Sequence, residues 1–118
     1  MFTIDQNGII TISRGDSFTA PLFINQGSDV APVRYRLTSS DRVVFYLMYP
    51  NCSFERSIFK KEYTDADQNE FGDVLVEFTP SDTQRLSAGK YYYEVRLYLG
   101  ETGEINTVIP KSLFYILD

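Results

Sequence analysis

Apolar and polar positions alternate along this chain with a period of two, the spacing of half-buried β-strands, and helical periodicity is nearly absent. The clearest run spans 91–99, where Tyr91, Tyr93, Val95, Leu97 and Leu99 fall on one face and Tyr92, Glu94, Arg96 and Tyr98 on the other. Ile9 to Ser13 follows an Asn7-Gly8 turn. Ser17 to Ile24 sets Phe18, Ala20, Leu22 and Ile24 to one side, with Pro21 pointing to an edge strand or a bulge. Arg42 to Tyr49 is apolar on both faces and predicts a central strand whose second face is covered by another layer or by a partner chain. Ile58 to Tyr63 is a further strand interrupted by Lys60 and Lys61, and Val74, Val76 and Phe78 form the inner face of the next. After a hairpin turn at Glu101-Thr102-Gly103-Glu104, Ile105 to Ile109 and Leu113 to Leu117 read as two closing strands. Thr64 to Gly72 is an acidic loop, and Pro80 to Leu86 forms one helical turn with Ser81 as N-cap and Gln84 at the capping-box position.

Strands of this length and spacing predict an all-β sandwich, with residues 1–118 as a single domain long enough to bury its own core. The Gly89-Lys90-Tyr91-Tyr92-Tyr93 segment has the spacing of the immunoglobulin tyrosine corner, in which a tyrosine hydroxyl bonds back to the preceding crossover. Tyr91 is the candidate. Tyr93 then stands where an antibody domain carries its second cysteine, so aromatic packing is expected in place of the disulfide. The fold class is an immunoglobulin-like antiparallel β-sandwich of seven to nine strands.

A net charge of -5, with 16 acidic residues against 11 basic ones, disfavours nucleic acid as a partner. Lys60-Lys61 and the Arg34 and Arg36 pair flanking Tyr35 read as solvated strand faces rather than a basic patch. No segment approaches 18 consecutive apolar residues and the first residues lack a basic, then apolar, leader pattern, so neither membrane insertion nor export is expected. A single cysteine, Cys52, leaves stability to packing, and with no histidine to activate it this thiol reads as inert.

Four segments together carry a family resemblance: Arg14-Gly15-Asp16-Ser17-Phe18, Asp41-Arg42-Val43-Val44-Phe45, Gly89-Lys90-Tyr91-Tyr92-Tyr93-Glu94-Val95 and Ile105-Asn106-Thr107-Val108-Ile109. In this order they resemble the immunoglobulin-like N-terminal domain of phage baseplate upper proteins and related phage structural proteins. The resemblance spans nearly the whole chain, through turn and strand signatures and no catalytic motif. It implies a virion structural or attachment module in a tail, baseplate or fibre, assembled in the bacterial host cytoplasm, with other virion subunits and further copies of itself as partners. Those proteins usually continue into helices and a distal domain, which these 118 residues do not contain.

Candidate chemistry is sparse. Arg14-Gly15-Asp16 reads as a strand-initiating turn rather than an integrin-binding tripeptide. Asp65, Asp67 and Asn69 match the first ligand positions of a calcium loop, but Glu70 replaces its required glycine and Val76 its closing glutamate, which excludes an EF-hand and leaves a solvated hairpin loop as the reading, with a surface cation bound weakly by Asp65, Asp67 and Glu70 as the alternative. Without histidine, nucleophile motif or phosphate loop, the chain is read as no enzyme; Asp41, Glu55 and Glu94 are carboxylates scattered over different strands. No catalytic, metal or cofactor site is expected. The outer-face tyrosines Tyr92 and Tyr98 are the interaction candidates, as a subunit interface or, in the alternative reading, as the platform of a carbohydrate-binding module contacting a host or cell-surface glycan. Six residues apart on one strand, they lie roughly 20 Å from each other, too far to grip one sugar ring.

Overall fold

A computed structural model of the chain describes residues 2–4, 8–24 and 35–118. Asn7 of the expected Asn7-Gly8 turn and Arg34 lie outside the described residues. The fold is all-β. Its strands are β1 (Phe2–Ile4), β2 (Ile10–Ser13), β3 (Phe18–Phe23), β4 (Arg42–Met48), β5 (Phe59–Tyr63), β6 (Asp73–Phe78), β7 (Gly89–Tyr98) and β8 (Ile105–Leu117). One sheet has the order β1-β2-β8-β7-β4-β5, and the other pairs β3 with β6.

The pleat sends every second side chain inward, and the burial along β7 follows the alternation in sequence: Tyr91, Tyr93, Val95 and Leu97 are buried and the residues between them half-exposed. On the small sheet, Ala20, Leu22, Val74, Val76 and Phe78 are buried. Of these, Leu22, Val74, Val76 and Phe78 join Val43, Phe45, Leu47, Phe114 and Ile116 of the large sheet in one core. Phe78 is its hub, with ring centroids 4.6 Å from Phe18, 5.4 Å from Phe45, 5.6 Å from Phe114 and 5.7 Å from Phe59. Pro21 is tolerated because β3 has one hydrogen-bonded neighbour among the described residues, leaving an edge that needs no N–H.

The sheets are not purely antiparallel, because β2 runs parallel to β8, with Ile10 opposite Phe114 and Ile12 opposite Ile116. The chain therefore reaches β8 from its own N-terminal side, pinned by the Arg14 N–H donating to the Leu117 carbonyl at 2.7 Å. The two closing strands expected at 105–109 and 113–117 are one strand, β8, that continues through Pro110. Its pairing with β7 slips by one residue twice, between Tyr93 and Val95 and between Val95 and Arg96. Such bulges need no ladder N–H from the extra residues, so proline at 110 bends the strand without ending it. The helical turn α1 (Pro80–Thr83) starts two residues earlier than expected: Thr79 is the N-cap, its N–H donating to Asp82 at 2.7 Å, and Pro80 takes the first helical position that suits its fixed φ. Lys61 does not lie on a solvated face. It points to the inner side of β5, where its Nζ meets the Asp82 carboxylate at 3.0 Å and lies 5.4 Å from the Phe78 ring centroid.

Asp41 is a structural knot that strand patterning does not reveal. Its carboxylate, only 2% exposed, accepts the Tyr35 hydroxyl at 2.6 Å, the Thr38 N–H at 2.9 Å and the Gly100 N–H at 3.3 Å, tying the approach to β4 to the β7–β8 hairpin. Burial alone raises a carboxyl pKa, but these hydrogen bonds to the charged form outweigh it and hold Asp41 below its ordinary value. The hydrogen bond to Asp41, with burial and the carboxylate charge added, pushes the Tyr35 phenol up to about 12. Gly100 is required beside the knot, since a Cβ there would meet the Ser40 carbonyl oxygen at 2.2 Å.

Asp41 has a depressed folded pKa, so the stability it contributes is present above the unfolded carboxyl value, about 3.9, and disappears as pH falls through the folded pKa. Urea unfolding from pH 7 to pH 2 is expected to show this acid loss in the native chain. In Asp41→Asn the loss shrinks, with a cost of about 2 kcal/mol at pH 7 from mispaired buried donors. At the alkaline end Tyr35 contributes stability below about pH 10 that is lost as pH rises through 12. Gly100→Ala is expected to cost about 3 kcal/mol in the same assay, because backbone must move to admit the methyl group.

Candidate interaction face

The outward face of the large sheet carries a second apolar layer. Val44, Tyr46 and Met48 of β4 are buried there, although they point away from the main core, and Phe54, Tyr92 and Tyr98 cover them. The second cover of β4 is thus supplied within the chain. The Pro50-Asn51 turn folds back into a short 3-10 turn, Phe54–Arg56, which lays the Phe54 ring 5.2 Å from that of Tyr46. The Tyr46 and Tyr98 hydroxyls share a hydrogen bond at 2.6 Å, and burial followed by that bond pushes the Tyr46 phenol above its ordinary value.

Tyr92 and Tyr98 are both half-buried on this face, at opposite ends of the outer row of β7. The Nζ atoms of Lys111 and Lys90 lie 5.0 Å and 5.6 Å from the Tyr92 ring centroid, and the Arg42 guanidinium lies 5.4 Å from that of Tyr98. Between the two tyrosines, Glu94 and Arg96 form an ion pair through Arg96 Nε, their side chains only 12% and 23% exposed. The Arg96 guanidinium also stacks over Phe54, 3.6 Å from its centroid. Beside this stack a recess of about 470 Å³ opens, lined by Met48, Cys52, Phe54, Glu94, Arg96 and Lys111 among others. Lys111 closes one side of it by donating to the Cys52 and Pro50 carbonyls at 3.0 Å and 3.3 Å. Lys111 keeps the outward phase of Leu113, which pairs with Tyr92, and the register shifts in β8 begin beyond the Tyr93–Ser112 pair.

The remaining candidates have other surroundings. Tyr91 is on the inner face, and its hydroxyl donates to the Ser87 carbonyl at 2.7 Å, back across the turn that leads into β7. Burial raises its pKa, with the nearby Tyr49 adding to the effect. Gly15 has φ +82°, and its N–H donates at 2.9 Å to the hydroxyl of Thr83, which is completely buried, so the Arg14-Gly15-Asp16 turn is seated on α1. In the acidic loop, the Asp67 carboxylate accepts the Thr64 N–H at 2.8 Å and Asn69 Oδ1 accepts the N–H groups of Phe71 and Asp73. Asp41 is spent in the knot described above, Glu94 in the ion pair, and Glu55 lies exposed on the 3-10 turn. Among the described residues no three histidine, cysteine, aspartate or glutamate side chains converge as a metal-binding group.

Phe54→Ala is expected to cost about 2 kcal/mol, since it uncovers Tyr46 and removes the Arg96 stack. Denaturant unfolding checks this, and near-ultraviolet circular dichroism is expected to report the freed Tyr46–Tyr98 pair. Comparison with known proteins adds no assignment to this face: no family model matches the chain, and no curated protein does.

Proposed function

We propose that the chain is an immunoglobulin-like β-sandwich that serves as a structural, assembly or attachment module of a phage particle, making non-catalytic subunit contacts in a tail, baseplate or fibre. The sandwich reading is supported by strand order. The β8-β7-β4-β5 run has the order that the G-F-C-C′ sheet of a variable-type domain would have, β3-β6 would be its B-E pair, and the Tyr91–Ser87 bond is of the kind a tyrosine corner makes. The phage setting rests on the sequence resemblance. The assembly role rests on one observation: the outer face of the large sheet presents half-buried tyrosines and the partly buried Arg96 guanidinium around a recess walled by Met48 and Phe54, residue types enriched at protein interfaces.

Light scattering during size-exclusion chromatography, over a hundredfold range of concentration, tests the assembly role. A discrete dimer, trimer or ring is expected, and Tyr92→Arg is expected to dissociate it by placing a third cation beside Lys90 and Lys111. A strict monomer at every concentration would overturn self-assembly through this face.

A further inference from the structure

The loop between β5 and β6 displays the most exposed large apolar side chain among the described residues, Phe71, at 67% exposure. Its backbone is held from several directions. Asn69 Oδ1 accepts the Phe71 N–H at 3.0 Å and the Asp73 N–H at 2.9 Å, and the Arg36 guanidinium donates to the Asn69 and Glu70 carbonyls at 2.9 Å and 3.2 Å. Gly72 closes the turn at φ +86°, its carbonyl accepting Gln68 Nε2 at 2.9 Å. A braced turn of this kind loses little conformational entropy on binding, and a phenyl ring held in water gains by leaving it. Phe71 has the properties of an anchor, and its loop is acidic, with Glu70 next to it in sequence and Asp65 and Asp67 earlier in the same loop.

The recess on the outer sheet face has the complementary character. Met48 and Phe54 supply apolar wall, the Arg96 guanidinium stacks on Phe54, and Lys111 stands at the rim with Lys90 beyond Tyr92. Against these cations the recess sets one carboxylate, Glu94, already paired with Arg96. The two features lie at opposite ends of β4. The acidic loop follows Tyr63, which is paired with Val43, whereas the recess adjoins Met48, about 17 Å further along the strand. Held by Arg36 and Gln68, Phe71 cannot reach the recess of its own chain.

We infer that the occupant of the recess is a second copy of this chain, whose Phe71 inserts against Phe54 and Met48 while its Glu70 meets Lys111. The contact is head-to-tail, so each copy offers both an anchor and a recess, and the assembly is a closed ring or an open filament rather than a two-fold dimer. This inference rests on the assembly role proposed above and names its partner and its anchor.

Sedimentation equilibrium of the full chain tests both levels. Phe71→Ser, an exposed change that leaves the core intact, is expected to weaken self-association at least tenfold with the circular dichroism spectrum unchanged. Glu70→Lys and Lys111→Glu are each expected to weaken it, and the two together in one chain to restore it. Restoration by the paired charge swap is a result that loss of folding cannot produce. An oligomer that survives Phe71→Ser but is dissociated by Tyr92→Arg would overturn the Phe71 anchor and leave assembly through the sheet face standing. A strict monomer in the native chain would overturn both.

Discussion

The fold depends on a strand that is apolar on both faces. From Val43 to Met48 every side chain of β4 is buried, so water must be excluded from two sides of one strand at once. Val43, Phe45 and Leu47 meet this demand in the main core, where the small sheet presses Phe78 against Phe45. For Val44, Tyr46 and Met48 the cover is thinner: one ring from a 3-10 turn and two tyrosines from the adjacent strand. An interior position in the large sheet follows from the same constraint, with β7 on one side and the edge strand β5 on the other.

That thin outer cover gives the sheet face its character. Phe54 reaches Tyr46 only because the chain turns at Pro50 and doubles back, and the space beside the returning segment is the recess. Charged groups enter this partly dry region in compensated form. Glu94 is paired with Arg96, Arg96 lies over an aromatic face, and Lys111 is bonded to two carbonyls. An ion pair this far removed from water adds little net stability, because desolvation offsets most of its Coulombic attraction. Its value lies in the geometry and charge it presents to a partner.

Strand positions were legible because period-two alternation has one physical source, the pleat, and β7 follows it at every residue from Tyr91 to Tyr98. Interruptions of the alternation leave less trace of the fold. Proline usually ends a strand because it lacks an N–H, yet a bulge opposite Glu94 accommodates Pro110 within β8. Lys61 looked solvated because its charge favours water, whereas its alkyl stem fills the inner side of an edge strand and its ammonium finds Asp82. Ser81 is a good cap residue by type, but Pro80 is best placed at the first helical position, which makes Thr79 the N-cap.

Local alternation in the amino-acid order is enough to dictate an all-β chain, a strand at Arg42 to Tyr49 that is apolar on both faces, and an outward row shared by Tyr92, Glu94, Arg96 and Tyr98. These are consequences of local alternation, which every residue in a strand must obey. Tertiary structure alone decided the parallel pairing of β2 with β8, the closure of the Asp41 knot over Gly100, the arrival of Lys111 at the recess, and the braced exposure of Phe71. Each of these depends on contacts between residues distant in sequence, which leave no periodic trace in the order of amino acids.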